Sequence, residues 1–129
     1  MSDLIFKRQL QNNSKEMKIM LVLFHFTDEK NIHFVYSPGL DLTGYGNNEE
    51  EAKNSFKIAF DDFINYTLSK KTLGKVLKDL GWKIKGSLKN PKKITAPTIG
   101  DSIKNQDYIS ELFDKYSIQS FHQEVSVSA

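Results

Sequence analysis

The sequence predicts an α+β fold, with a small antiparallel sheet of three to four strands and helices on one face. Three observations carry this prediction. Apolar residues alternate over positions 18–27, turn residues separate that segment from two shorter strand-like segments, and apolar residues after position 48 follow a helical spacing. The predicted order is β-β-β-α-α-(β)-loop-α-β, a sheet with helices packed against it. The length of 129 residues suggests one domain.

The segment 18–27 gives the strongest strand signal in the chain. Its odd positions from 19 to 23 and its even positions from 20 to 26 are apolar, so both faces of the strand need cover. That cover comes either from other elements on both sides or from a subunit partner on one side. A polar turn leads into a second strand at 32–37, which the short connection makes antiparallel. A Pro-Gly break precedes a third strand at 40–45.

A long helix is predicted to begin in the stretch of asparagines and glutamates before residue 52. Asn48 with Glu51, or Asn47 with Glu50, has the spacing of a capping box. Apolar residues then follow at helical spacing to about Leu68, which indicates one broad stripe facing the sheet. We expect the phenylalanines of the stripe to be buried by neighbours from the strands: Phe56, Phe60 and Phe63 against Leu21, Leu23 and Phe34 or the residues beside them.

The second half of the chain alternates helical and irregular segments. A shorter helix is predicted from Thr72, its N-terminal cap, to Gly81, whose residue type fits a C-terminal cap. A short strand is expected directly after it. Residues 85–100 hold prolines, glycines and a lysine cluster, which predicts a loop. Helical spacing returns over 102–116, and a closing strand is expected around 121–127.

These elements suggest three segments. Residues 1–17 lack a clear period and are expected to form a mobile or partly ordered leader. Residues 18–84 form the core. The loop, helix and closing strand of residues 85–129 are expected to pack on that core.

Composition excludes several classes of protein. The chain has no cysteine, which excludes a disulfide scaffold, a thiolate zinc site and a cysteine nucleophile. Its longest apolar run, at 19–24, is too short to span a membrane. No N-terminal segment has the pattern of a secretory signal. We therefore expect a cytoplasmic protein that has no membrane partner.

Candidate catalytic and metal-binding residues do not converge in the sequence. His25 and His33 are placed to pair across the first hairpin, but their strand neighbours include no carboxylate, and His122 lies far along the chain. Helix capping explains the glutamates near residue 50, and a solvated helix face explains Asp61 and Asp62. No phosphate-binding loop or serine elbow is present. The sequence therefore predicts a protein that is not an enzyme, with no cofactor and no metal.

Positive charge is concentrated in one region. Residues 69–93 carry nine lysines and one aspartate. The run from Lys70 to Lys93, with Trp82 within it, has the composition of a surface that follows a nucleic-acid backbone. The alternative is a solvated helix face followed by a loop whose lysines have no rigid face. Arg8 is the only arginine in the chain, which disfavours base reading.

The stretch from Tyr36 to Ala52 resembles the HicB family of antitoxins. It reads YSPGLDLTGYGNNEEEA, where that family has a tyrosine, a proline, glycines and a Glu-Glu-Ala sequence between its second strand and its helix. The segment TLGKVLKDLGWKI looks closer still to an uncharacterised HicB-like subfamily. The resemblance covers roughly residues 18–84. The matching positions in the first stretch are Tyr36, Pro38, Leu40, Gly46, Glu50, Glu51 and Ala52.

The resemblance implies a partial, catalytically silent ribonuclease-H-like fold and a role in binding a HicA-like toxin, a small ribonuclease that resembles double-stranded-RNA-binding proteins. Our hypothesis is a non-enzymatic HicB-like protein-interaction module, antitoxin-like, with a protein partner. The alternative is a nucleic-acid-contacting regulator that acts through the Lys70–Lys93 run. A homodimer is expected because the two-sided strands and the closing strand leave apolar surface to cover. The candidate partner-binding residues are Tyr36, Pro38, Leu40, Tyr45, Lys75, Lys78, Lys83 and Lys85.

Overall fold

The computed structural model describes residues 16–88, 91–105 and 107–128. Its strands are β1 (Glu16–Thr27), β2 (His33–Ser37), β3 (Leu42–Gly46), β4 (Lys83–Gly86), β5 (Pro91–Thr95) and β6 (Gln119–Ser128). Its helices are α1 (Glu49–Ser69), α2 (Leu73–Asp79), α3 (Ile99–Asn105) and α4 (Asp107–Lys115). None of these helices combines the length and the apolar character that crossing a membrane requires.

The strands form two antiparallel sheets. β3, β2, β1 and β6, in that order, make a four-stranded sheet, and β4 pairs with β5 in a separate hairpin. The predicted α+β class and small antiparallel sheet are confirmed. The first three strands lie within one or two residues of their predicted bounds, because turn residues separate them clearly in the sequence.

Helices cover the central sheet on both faces. On one face, Leu21 and Leu23 of β1 pack in a cluster with α1 and α2. On the other, Phe24 and Phe26 pack with α3 and α4, where Ile109 is fully buried. The predicted arrangement has helices on one face only, so α3 and α4 are a correction to it. The physical reason is the alternation along β1, since apolar residues at both odd and even positions need cover on both sides.

Asn48 caps the start of α1 in a variant of the capping box, in which the return bond goes to the preceding residue. Asn48 Oδ1 accepts a hydrogen bond from the N–H of Glu51 at 2.8 Å, and Glu51 Oε1 accepts one from the N–H of Asn47 at 3.0 Å. Of the two pairs that the sequence allows, the structure therefore uses Asn48 and Glu51. These bonds satisfy amide groups that have no partner inside the helix.

The apolar stripe of α1 lies at the centre of the core. Phe56 and Phe60 are buried there, as predicted, and Phe63 is partly buried. Phe34 belongs to the cluster on the opposite face of the sheet, so it does not pack against this stripe. Because successive side chains of a strand point to opposite faces, its neighbour Val35 lies in the cluster with α1.

α2 ends at a Schellman motif. Gly81 has a left-handed φ of 98°, and its N–H donates to the carbonyl of Lys78 at 3.0 Å. The N–H of Trp82 donates to the carbonyl of Leu77 at 2.9 Å. This pair of bonds needs a residue that tolerates positive φ after the helix, which is why the glycine marks the helix end in the sequence.

The segment predicted as a loop contains strand β5. Ile84 pairs with Ile94 and Lys85 with Lys93 across the β4–β5 hairpin. Pro91 is the first residue of β5, a position where a strand tolerates proline. Ile94 is buried and Ile84 partly buried in the cluster with α1. Burial of this isoleucine pair outweighs the loop signal of the prolines and glycines.

The C-terminal segment completes the central sheet. β6 pairs with β1 from Glu16 opposite Ser128 to His25 opposite Gln119. The helical segment predicted at 102–116 consists of two helices, α3 and α4. Residues 1–15 of the predicted leader lie outside the described residues, whereas its last two residues already belong to β1.

Candidate functional site

The structure divides the predicted partner-binding residues into a buried set and an exposed set. Tyr36, Pro38 and Leu40 are buried, so their side chains are core and do not form a surface that a partner can reach. This is a correction to the predicted set. Tyr45 is 67 % exposed. The four lysines of the set are exposed as well: Lys75, Lys78, Lys83 and Lys85.

Tyr36 belongs to a polar cluster that fastens α4 to the turn between β2 and β3. Its hydroxyl donates to Asp41 Oδ1 at 3.0 Å and lies 2.7 Å from the hydroxyl of Tyr108. Tyr108 also donates to the same Asp41 oxygen. Asp41 has a left-handed φ of 55°, which aspartate adopts more readily than most residues. The role of Tyr36 is therefore to hold distant segments together.

Because of the hydroxyls of this cluster, we expect the stability of the protein to decrease at alkaline pH. Burial raises the pKa of Tyr108 to about 12. Burial, and then the hydrogen bond to Tyr108, raise the pKa of Tyr36 well above its ordinary value. The folded protein holds these protons more tightly than the unfolded chain does. Their contribution to stability is therefore full below about pH 10 and is lost as the pH rises through the folded-state values.

We expect the free energy of unfolding, measured by urea titration, to fall as the pH rises from 10 to 12. The fall should be less steep in Tyr108→Phe, which cannot lose this proton. Tyr66→Phe is the matched control because it removes a phenol hydroxyl from a side chain that is 64 % exposed. Identical pH profiles for Tyr108→Phe and the unaltered protein would contradict this role of the cluster.

The outer side of α1 and the neighbouring β3 carry exposed large side chains. Tyr45, Ile58 and Tyr66 are 67 %, 64 % and 64 % exposed. Positions 51, 55, 58, 62 and 66 follow one another at steps of three and four residues, so they share one face of α1. The N–H of Tyr45 donates to Ser55 Oγ at 3.1 Å, so the backbone of β3 lies beside α1. The side chain of Tyr45 points away from α1, because Tyr45 pairs with Phe34 and shares the opposite face of the sheet with it. We call the outer surface of α1 the aromatic–acidic face, formed by Glu51, Ile58, Asp62 and Tyr66.

The charges of the aromatic–acidic face are negative. Glu51 and Asp62 are exposed on it. Lys70 Nζ lies 6.0 Å from the centre of the Tyr66 ring and bounds the face at the C-terminal end of α1. Asp61, predicted on a solvated face like its neighbour, is instead partly buried, and that burial raises the pKa of its carboxyl. Exposed aromatic and aliphatic side chains bordered by carboxylates are typical of a protein-binding surface.

The β4–β5 hairpin orders a second exposed surface. Lys83 and Lys85 alternate with Ile84 along β4, and Lys85 pairs with Lys93 of β5. Alternate residues of a strand and directly paired residues share a face, so these lysines point away from the core that Ile84 and Ile94 enter. The expectation that the lysines of the predicted loop have no rigid face is wrong for Lys85 and Lys93. We call Lys83, Lys85 and Lys93 the lysine face.

Trp82 does not join the lysine face. It is 3 % exposed, and its Nε1–H donates to the carbonyl of Gly39 at 2.7 Å. A buried indole offers no ring on which a nucleic-acid base can stack. Of the lysines on α2, Lys75 pairs with Asp79 at 3.1 Å, while Lys78 is exposed. Trp82 therefore supplies no aromatic platform to the lysine face.

A polar cluster anchors the first turn of α1 to the sheet. His25 Nε2 lies 2.9 Å from His33 Nδ1, so the two histidines pair across the first hairpin as expected. Glu49 supplies the carboxylate that the strands lack, 3.2 Å from His25 Nδ1 and 3.1 Å from Nζ of the buried Lys53. The hydrogen bond from Lys53 lowers the pKa of Glu49. Within the described ranges, no group of three or more His, Cys, Asp or Glu side chains is placed to hold a metal ion.

A small cavity lies between Trp82 and the turn after β2. Its volume is about 20 Å³, and its lining includes Ser37, Gly39 and Pro97. That is room for about one water molecule, whereas pockets for small ligands have about 300–1,000 Å³. The cavity is therefore too small to hold a small-molecule substrate.

No known protein or protein family is similar enough to this chain to indicate its function. The chain matches no protein-family model, and no curated protein and no solved structure is significantly similar to it. The resemblance to the HicB family stays a prediction. Two exposed surfaces, the aromatic–acidic face and the lysine face, are therefore the candidate binding sites.

Neither apolar member of the aromatic–acidic face, Ile58 or Tyr66, is among the residues predicted from the sequence. Both lie off the stripe formed by Phe56 and Phe60. Large apolar side chains on the polar side of an amphipathic helix are the signal that points to them.

Proposed function

We propose that the protein is a non-enzymatic interaction module, antitoxin-like as in the HicB family that its sequence resembles, and that it binds a small basic protein. The observation that carries the proposal is the aromatic–acidic face. Two of its side chains, Ile58 and Tyr66, are each 64 % exposed although both are large and apolar in their greater part.

These side chains are of the kind that contributes most binding energy in protein interfaces. Tyrosine buries a large ring at a low cost in side-chain entropy and keeps a hydroxyl for hydrogen bonding. Ile58 and Tyr66 stand on a 21-residue helix, and the bond from Tyr45 to Ser55 ties β3 to that helix. A partner therefore meets side chains whose backbone is already ordered, which lowers the entropy lost on binding.

The negative charge of the aromatic–acidic face favours a positively charged partner. Glu51 and Asp62 flank the apolar side chains, and residues 19–68 contain eight acidic residues and three lysines. A basic partner is favoured because complementary charge speeds encounter and excludes acidic competitors. A HicA-like toxin would have the positive surface that binding double-stranded RNA requires. Of the lysines, Lys70 borders this face beside Tyr66, whereas those of α2 and of the lysine face are not part of it.

Co-expression with the reading frames next to this gene tests the proposal. The tagged full-length chain should co-purify in a stoichiometric complex with a small basic protein encoded beside it. Ile58→Arg, which places a positive charge at the centre of the face, should abolish the complex. Lys93→Glu, on the lysine face, should leave it intact. The absence of a stoichiometric complex, or a complex that survives Ile58→Arg, would overturn the proposal.

A second candidate function, contact with a nucleic-acid backbone, is favoured by the lysine face. The pairing of Lys85 with Lys93 holds two like charges side by side, and Lys83 extends the row along β4. Like charges placed opposite each other on a sheet are unfavourable unless an anion lies between or near them. A phosphate backbone supplies such anions at regular intervals.

The salt dependence of the affinity for DNA tests this second function. If the lysine face and nearby lysines make four phosphate contacts, affinity for mixed-sequence duplex DNA should fall about a hundredfold between about 50 and 200 mM salt. Lys85→Glu/Lys93→Glu should weaken binding to every sequence alike, because backbone contacts carry no sequence information. Lys115→Glu, an exposed lysine of α4, is the matched control. Undetectable binding at about 150 mM salt would reject this function.

A further inference from the structure

Helices α1 and α2 end in the same backbone motif but with different residues. At the end of α2, the residue with a left-handed φ is Gly81, whereas at the end of α1 it is Lys71, with a φ of 57°. The N–H of Lys71 donates to the carbonyl of Leu68 at 3.1 Å, and the N–H of Thr72 donates to that of Thr67 at 2.8 Å. These are the two bonds of a Schellman motif, so a lysine occupies the position that glycine usually takes.

Lysine is the less stable residue type at this position. The left-handed region is strained for a residue with a Cβ atom, whereas glycine adopts it at no steric cost. The side chain of Lys71 is exposed, and among the described residues it forms no ion pair. Its nearest charged neighbours along the sequence, Lys70 and Lys75, are cations as well. Within the described part of the chain, no ion pair therefore accounts for a lysine here, whereas an anion outside the chain would.

The start of α2 brings Lys71 close to the β4–β5 hairpin. A Cβ atom on Gly74 would lie 2.2 Å from the carbonyl oxygen of Leu88, so the first turn of α2 touches the chain just after β4. Gly74 follows Lys71 by three residues, and Leu88 follows Lys85 of the lysine face by three. Each of these connections spans at most about 11 Å. One nucleic-acid backbone, which carries phosphates along its whole length, can therefore reach both lysines.

We propose that Lys71 contacts a phosphate of the same nucleic-acid backbone that the lysine face binds. This contact rests on the second candidate function and extends its surface from the hairpin to the junction between α1 and α2. The phosphate supplies the negative charge that Lys71 lacks within the fold, and a lysine offers it a point charge without reading the base sequence. Lys71 then lowers the stability of the folded chain and raises its affinity for the nucleic acid.

Replacement of Lys71 by glycine should change stability and affinity in opposite directions. The melting temperature of Lys71→Gly should rise by about 1–4 °C, because glycine relieves the strain of the left-handed backbone. Its affinity for mixed-sequence duplex DNA should fall about fivefold at about 100 mM salt. The slope of log affinity against log salt should become shallower by about 0.9, the value of one phosphate contact. Lys71→Gln should lose the same affinity without the rise in melting temperature.

Lys30→Gln removes a charge from an exposed lysine in the turn between β1 and β2 and is the matched control. It should change neither the affinity nor the slope. If Lys71→Gly binds DNA as the unaltered protein does while Lys85→Glu/Lys93→Glu binds weakly, the contact of Lys71 is overturned and the second function stands. A melting temperature lowered by Lys71→Gly would show a structural role for the lysine and would also overturn the proposal. Undetectable binding by the unaltered protein would reject both the contact and the second function.

Discussion

Replacing Phe60 by alanine should lower the free energy of unfolding by about 3–5 kcal/mol. Phe60 is 3 % exposed in the cluster between α1 and the central sheet, and its ring stacks beside that of Phe56. Truncation removes apolar surface that folding buries and leaves a cavity that the packed helix and sheet cannot close fully. Urea denaturation of the variant and the unaltered protein measures the difference.

The control is Ile58→Ala on the same helix. Ile58 is 64 % exposed, so its truncation should change stability by less than about 0.5 kcal/mol. It should nevertheless weaken the partner complex. A Phe60→Ala variant with the stability of the unaltered protein would show that α1 does not pack on the sheet as described.

Gly44→Ala should destabilise the protein by about 1–3 kcal/mol, and by more if α1 cannot shift. A Cβ atom at residue 44 would lie 2.1 Å from the backbone nitrogen of Phe56 and 2.5 Å from the carbonyl oxygen of Ala52. These are helix backbone atoms, which cannot rotate away as a flexible side chain can. The glycine of β3 thus lets α1 approach the edge of the sheet closely.

Gly100→Ala is the matched control for that substitution. In α3, the closest atom to a new Cβ of residue 100 is Thr98 Oγ1 at 3.9 Å. Alanine there should leave stability unchanged or raise it by up to about 1 kcal/mol, because it favours the helix. Equal melting temperatures for Gly44→Ala and Gly100→Ala would contradict the close approach of α1 to β3.

Elements marked by neighbouring residues are predictable from the sequence. The alternation of apolar residues identifies β1, the spacing of Asn48 and Glu51 marks the start of α1, and Gly81 marks the end of α2. In each case the pattern that marks the element lies within a few residues, even though β1 then pairs with the distant β6. Local patterns therefore contain the necessary information.

Features that depend on distant segments are not predictable in this way. The hydrogen bond from Tyr108 to Asp41 joins residues 67 positions apart. Nothing in the local pattern of Glu49 indicates that it meets His25 of β1. Strand β5 forms because Ile94 finds a buried place in the core, although the prolines and glycines around it favour a loop. Packing decides these features, and it requires the whole chain.

The residues of the candidate site are likewise only partly predictable from the sequence. The conspicuous Tyr36 and Leu40, which carry the family resemblance, are buried, whereas Ile58 and Tyr66 become conspicuous only when the helix face is known. For the lysines, composition alone indicates a charged run. Pairing of β4 with β5 turns three of them into one face.

The most direct test of the proposed binding face is the dissociation constant of the complex with the small basic partner, measured by isothermal titration calorimetry. The three forms to compare are the unaltered protein, Ile58→Ala/Tyr66→Ala and Lys85→Glu/Lys93→Glu. We expect the Ile58/Tyr66 pair to raise the constant about thirtyfold or more, as loss of interface hot spots does, and the lysine pair to change it by less than about threefold. A constant that the Ile58/Tyr66 pair leaves unchanged, with binding lost in the lysine pair, would contradict the proposal and place the partner on the hairpin.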